Sequence, residues 1–197
     1  MGKGRLEAFS DGVIAIIITI MVLELQAPHS QSLGALHPLI PKFLSYALSF
    51  IFVGIYWNNH HHLLHTVQHV DGRILWANLH LLFWLSLIPF ATDWIGESNF
   101  GAQPVAIYGV VLLMAAIAFT ILVKLLIAHH GKTSTLALAI GNDRKGKVSM
   151  LLYVLGILGV FISPWIGIAM YVIVALIWLV PDRRIAKRLA SDQSSTA

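Results

Sequence analysis

Long apolar runs alternate along this chain with short stretches rich in proline, glycine and charge. Runs close to the roughly 20 residues that cross a bilayer, at about 1.5 Å rise each, predict six helices at about 6–25, 43–67, 73–95, 104–128, 148–163 and 165–180. QAPHSQSLGALHPLIPK, with Pro28, Pro38 and Pro41, separates the first two. GESNFGAQP, with Gly96, Gly101 and Pro104, follows the third, and GNDRKGK makes a charged turn before the fifth. Val70, Asp71 and Gly72 link the second helix to the third. Only Ser163 and Pro164 link the fifth to the sixth, which predicts a tight helical hairpin. The pattern reads as one six-helix transmembrane domain over 1–182, followed by a basic, disordered tail over 183–197.

Composition sets the class. With 57% hydrophobic and 11% charged residues and a mean hydropathy of +0.78, the chain lies outside the range of soluble domains. It reads as an all-α, polytopic membrane protein. The first run reads as a retained helix rather than a cleaved signal: Asp11 interrupts its start and no small-x-small site follows. There is no cysteine, so disulfides, thiolate chemistry and cysteine metal sites are excluded.

Charge gives orientation. With both termini in the cytoplasm, Lys3, Arg5, Arg73, Lys132, Arg144, Lys145, Lys147, Arg183, Arg184, Lys187 and Arg188 all lie at the inner side. Lys124 sits near the inner end of the fourth helix, and only Lys42 lies outside. That asymmetry is the positive-inside pattern. It accounts for the sequence pI of about 9.5 without a nucleic-acid partner.

Polar residues inside the apolar runs share a depth. Asp11 falls about 9 Å inside the start of its helix. The second helix carries Trp57, Asn58, Asn59, His60, His61 and His62 about 12–20 Å above its inner end, and the third brings Asn78 and His80 to about 8–11 Å, with Trp84 above. Charged groups in hydrocarbon are costly and turn toward partners, and indole and imidazole N–H groups suit a carboxylate. Ser10 and Asp11 are therefore expected to tie the first helix to the second and third. Two other uses of these residues stay open. His61 and His65, like His65 and His69, are spaced i, i+4 as metal or haem ligands would be; alternatively the histidines relay protons beside Asp11. His29, His37, His129 and His130 fall in loops or at helix ends, where solvation is the default reading.

Beyond Asp11, Ile16, Thr19, Ile20 and Leu23 fall at i, i+3, i+4 and i+7, one helical face. With Glu24 at its outer end, this helix is placed to line an axial pathway gated by wetting. Glu24, Asp93 and Glu97 would make the outer mouth negative.

Arg5-Leu6-Glu7-Ala8-Phe9-Ser10-Asp11 fits an RxxxFSD signature, and with Trp57, His60, His61, Asn78 and Trp84 the chain resembles the transmembrane protein 175 family of potassium channels along essentially its whole length. The resemblance implies a prokaryotic, one-repeat member that assembles as a homotetramer in the cytoplasmic membrane, where animal endosomal and lysosomal members carry two repeats. It implies a pore lined by the first helix of each subunit, without a TVGYG filter. The family's hydrophobic constriction, five residues after the motif aspartate, carries over to Ile16, and the positions eight and twelve after it to Thr19 and Leu23. Arg5, Phe9, Ser10, Asp11, Trp57, Asn58, His60, His61, Asn78 and Trp84 would form the structural motif network. The expected function is passive, potassium-permeable cation conduction, weaker for other monovalent cations, with no cofactor. No phosphate-binding loop or nucleophile–base constellation points to an enzyme. A proton channel or proton-coupled transporter is the alternative, and a haem- or metal-binding membrane protein the more remote one.

Overall fold

The computed structural model describes residues 3–28, 30–65, 67, 69–131, 134–140 and 143–179. His29, Lys132, Arg183, Arg184, Lys187, Arg188 and the expected tail lie outside the described residues. Every regular element among the described residues is helical. In order they are α1 (Lys3–Leu23), a 3-10 helix (Leu33–Leu39), α2 (Ile40–His65), α3 (Gly72–Ser86), α4 (Ile88–Glu97), α5 (Ala102–His130), α6 (Thr135–Ile140), α7 (Arg144–Gly159) and α8 (Pro164–Leu179).

Four stretches are long and apolar enough to cross a membrane: Lys3–Leu23, Leu33–His65, Gly72–Glu97 and Ala102–His130. The helices α7 and α8 have 16 residues each, about 24 Å at 1.5 Å per residue, and pack against each other as a hairpin.

Four features depart from the periodicity. The third expected helix breaks at Leu87 into α3 and α4, because Pro89 has no N–H to return to the Leu85 carbonyl and crowds the turn before it. The loop after α1 holds the 3-10 helix, started by the Ser32 hydroxyl accepting from the Gly34 N–H at 3.2 Å. The loop after α5 holds α6, a single short helix. The expected fifth helix also starts earlier and ends at Gly159, with Val160 to Ile162 forming the turn of the hairpin.

Packing centres on α5, which contacts α3 and α4 on one side and α7 and α8 on the other. Tyr108 and Tyr171 are fully buried there. A Cβ at Gly109 would overlap the Tyr171 hydroxyl, and one at Gly156 would sit 2.7 Å from Tyr171 Cε1, so these glycines admit the ring. The helix α1 packs on α2, α3 and α4. It buries Leu6, Ser10, Ile14, Ile17 and Met21 and leaves its opposite side uncovered.

Candidate functional site: the open face of the first helix and its polar anchor

The anchor begins at Ser10, fully buried. Its hydroxyl donates to the Leu6 carbonyl at 2.8 Å, so toward its other neighbour it can only accept. That neighbour is Asn78, whose Nδ2 donates to Ser10 Oγ at 2.9 Å. The amide orientation is thereby set, and Oδ1 faces His60 Nε2 at 2.7 Å. His60 therefore carries a proton on Nε2, and its Nδ1, also buried, has no partner among the described residues. One continuous chain of hydrogen bonds thus joins α1, α3 and α2 inside apolar packing, where satisfied polar groups specify a single arrangement.

On the adjacent side of α1 the bonds form a ladder. Trp57 Nε1 donates to Asp11 Oδ1 at 3.1 Å, His61 Nδ1 lies 3.2 Å from Glu7 Oε1, and Lys3 Nζ donates to the His65 carbonyl at 3.3 Å. Each step of four back along α1 meets a step of four forward along α2. This is the register of an antiparallel pair with one rung per helical turn. The Trp57 and His61 rings stack at 6.0 Å.

Other expected members stand apart. Arg5 and Asn58 are exposed and make no side-chain hydrogen bond or ion pair among the described residues, because their positions turn away from both helix seams. Trp84 donates to His80 Nε2 at 2.9 Å within α3, a pair separate from the Ser10 chain. Phe9 lies on the open face of α1. Asp93 and Glu97 do not stand as free outer charges: Lys42 Nζ lies 3.5 and 3.2 Å from them, since α2 and α4 run side by side there. Glu24 is exposed and unpaired among the described residues. No three His, Asp or Glu side chains among the described residues converge as a metal ligand set.

Sequence reasoning missed Glu7 as a partner. Its signal was legible: it precedes Asp11 by one turn, as His61 follows Trp57 by one turn. It also missed a second buried cluster, in which Thr92 Oγ1 lies 2.6 Å from Ser49 Oγ and Ser49 Oγ 2.9 Å from Tyr108 Oη. Single hydroxyls in apolar runs carry no such signal.

The open face of α1 presents Ile16, 58% exposed, and Leu23, 76% exposed, while Ile17 is 3% exposed. At 100° per residue, Arg5, Gly12, Thr19 and Leu23 fall within about 40° of one line, Ile16 flanks it, and Ile20 sits at its edge. Thr19 Oγ1 donates to the Ile16 carbonyl at 2.9 Å, so its exposed oxygen can only accept further bonds.

A family model described as the endosomal/lysosomal potassium channel TMEM175 matches residues 5–89, the segment holding Ser10, Asp11, Trp57, His60 and Asn78. A potassium channel of Chryseobacterium sp. (strain P1-3) is 60% identical over 192 residues, covering 98% of this chain and 100% of that one. This chain belongs to the TMEM175 family. A second relative, a potassium channel of Chamaesiphon minutus, is 30% identical over 88% of this chain and 91% of its own. The crystal structure of a lysosomal potassium-selective channel TMEM175 homolog from Chamaesiphon minutus matches with a TM-score of 0.80 at 28% identity, covering 91% of this chain and 97% of that one. Mouse TMEM175, named an endosomal/lysosomal proton channel, is 34% identical over 53% of this chain and 23% of its own length. The protein is thus a member of an ion-channel family rather than an enzyme, and its apolar helices make it a multi-pass membrane protein.

Proposed function

We propose that this TMEM175 member is a potassium-permeable cation channel of the prokaryotic cytoplasmic membrane, with a passive pore lined by the first helices of four copies. The observation that carries the reading is the one-sided burial of α1. Its inner half is tied to α2 and α3 through Ser10 and Asp11, while Ile16, Thr19 and Leu23 face away from the subunit. One such helix cannot enclose a path. Closed cyclic symmetry supplies the rest of the wall. Around a shared axis, Ile16 forms an apolar ring that a cation passes when the ring widens or wets. Thr19, its proton committed to the Ile16 carbonyl, offers oxygen to a partly dehydrated ion. Leu23 and Glu24 open the outer mouth. In this reading α7 and α8 complete six spans, both termini are cytoplasmic, and residues 1–182 form one channel domain.

The test is the reversal potential of reconstituted protein in potassium and sodium gradients, with native mass measurement in detergent. A tetramer whose reversal follows potassium supports the reading. A conducting monomer, or flux indifferent to both cations, overturns it.

A second reading, proton conduction, is favoured by the Glu7–His61 contact beside Asp11 and by the name of the mouse relative. Currents that follow the proton gradient and survive removal of potassium select it.

A further inference from the structure

We propose that Gly12 is a pore-lining position whose missing side chain sets the width of the passage just inward of Ile16, an inference that rests on the pore reading above. Glycine in mid-helix is a poor helix former, so its presence about two and a half turns into α1 calls for a use of the space. Gly109 and Gly156 have one, since the Tyr171 ring fills the volume their side chains would take. Gly12 has none among the described residues: a Cβ built there meets nothing within 4 Å. The position is exposed, and its direction lies on the line of Arg5, Thr19 and Leu23, at the middle of the uncovered arc. The backbone here is also well held, because Ser10 and Asp11 on either side of the arc are bonded to Asn78 and Trp57. The free volume at Gly12 therefore points away from the protomer toward the shared axis.

Gly12 stands four residues before Ile16, about 6 Å inward. With no side chain at this level, four copies leave a wide cross-section directly beneath the Ile16 ring. A cation can keep its water there until it meets the constriction. Phe9, the next large side chain inward on the open face, bounds that space from below. The length of the dry segment is then a single ring, and Gly12 keeps it so. A bulky residue would add a second apolar ring in series.

The chain has no cysteine, so Gly12→Cys and Leu23→Cys each carry a single thiol. Both are reconstituted, treated on both faces with a cationic methanethiosulfonate reagent, and assayed for potassium flux. The expected result is at least a tenfold loss of flux in both on modification, reversed by reductant. Block of Leu23→Cys without block of Gly12→Cys overturns the proposal and leaves the pore reading standing. Block of neither overturns both. A size series gives a second measure: Gly12→Ala should stay within twofold of the parent flux, and Gly12→Leu should fall at least tenfold with the oligomer intact by native mass. Loss of the oligomer in Gly12→Leu would instead mark a close helix–helix contact and refute the pore-width role.

Discussion

Asn78→Leu tests whether the Ser10–Asn78–His60 chain is a single unit. Leucine has the same branched heavy-atom skeleton as asparagine, with bulkier methyls in place of the amide atoms, so the substitution deletes hydrogen bonds without opening a cavity. His60 loses the acceptor 2.7 Å away and, with Nδ1 already unpartnered, is left with both ring nitrogens unpaired in a fully buried site. A buried donor left unmatched costs about 1–3 kcal/mol, and the second bond, from Asn78 Nδ2 to Ser10 Oγ, adds roughly 0.6 kcal/mol, the average for hydrogen bonds between membrane helices. Asn78→Leu should therefore destabilise the subunit by about 2–4 kcal/mol. Ser10→Ala removes only an acceptor for Asn78, because the other bond of Ser10 runs to its own helix, and should cost about 1 kcal/mol. The double variant should cost no more than Asn78→Leu alone, a coupling of about 1 kcal/mol. Unfolding in mixed micelles of rising SDS fraction, followed by far-UV circular dichroism, gives all three values. Additive losses would show that Ser10 and Asn78 act independently and would refute the continuous chain.

Three further outcomes follow. Ile17→Asn places an amide in a site that is 3% exposed and should lower stability by about 2–4 kcal/mol, whereas Ile16→Asn should assemble normally and raise sodium leak; sodium leak confined to the Ile17 variant would mean that the wrong face has been assigned to the pore. Gly109→Ala drives a methyl into the Tyr171 hydroxyl and should cost about 1–3 kcal/mol, with partial recovery in combination with Tyr171→Phe, read as thermal midpoints. The Ile74 N–H, reinforced by the neighbouring His129 and Arg73 charges, holds the Asp71 carboxyl below its ordinary range at the start of α3. The contribution of Asp71 is fully present above the usual carboxylate pKa and is lost as pH falls through the depressed value, so thermal midpoints of Asp71→Asn should show less loss on acidification than the parent.

Much of this protein was legible along the chain because the forces that write the pattern are local. Hydropathy and length mark the four long apolar stretches, since in lipid each backbone must satisfy its own hydrogen bonds. The 3.6-residue period grouped Ile16, Thr19, Ile20 and Leu23 on one face before any packing was known, and the shared depth of Ser10, Asp11, His60 and Asn78 followed from rise per residue alone. Pro89 was visible, but the apolar run on either side of it concealed the break into α3 and α4.

Partnership was decided elsewhere. Whether Asp11 meets Trp57 or a histidine, and whether Ser10 reaches Asn78, depends on the rotation of three helices about their own axes. That rotation is set by the summed packing of α1, α2, α3 and α5, which no single segment encodes. The same rotation leaves Arg5 and Asn58 without side-chain partners among the described residues, keeps Trp84 with His80, and turns Lys42 onto Asp93 and Glu97, so that two of the expected outer charges are paired. Periodicity determined which residues share the open face of α1. Only the tertiary structure decided that α2, α3 and α4 cover the opposite side, because a helix has no inside until its neighbours choose one.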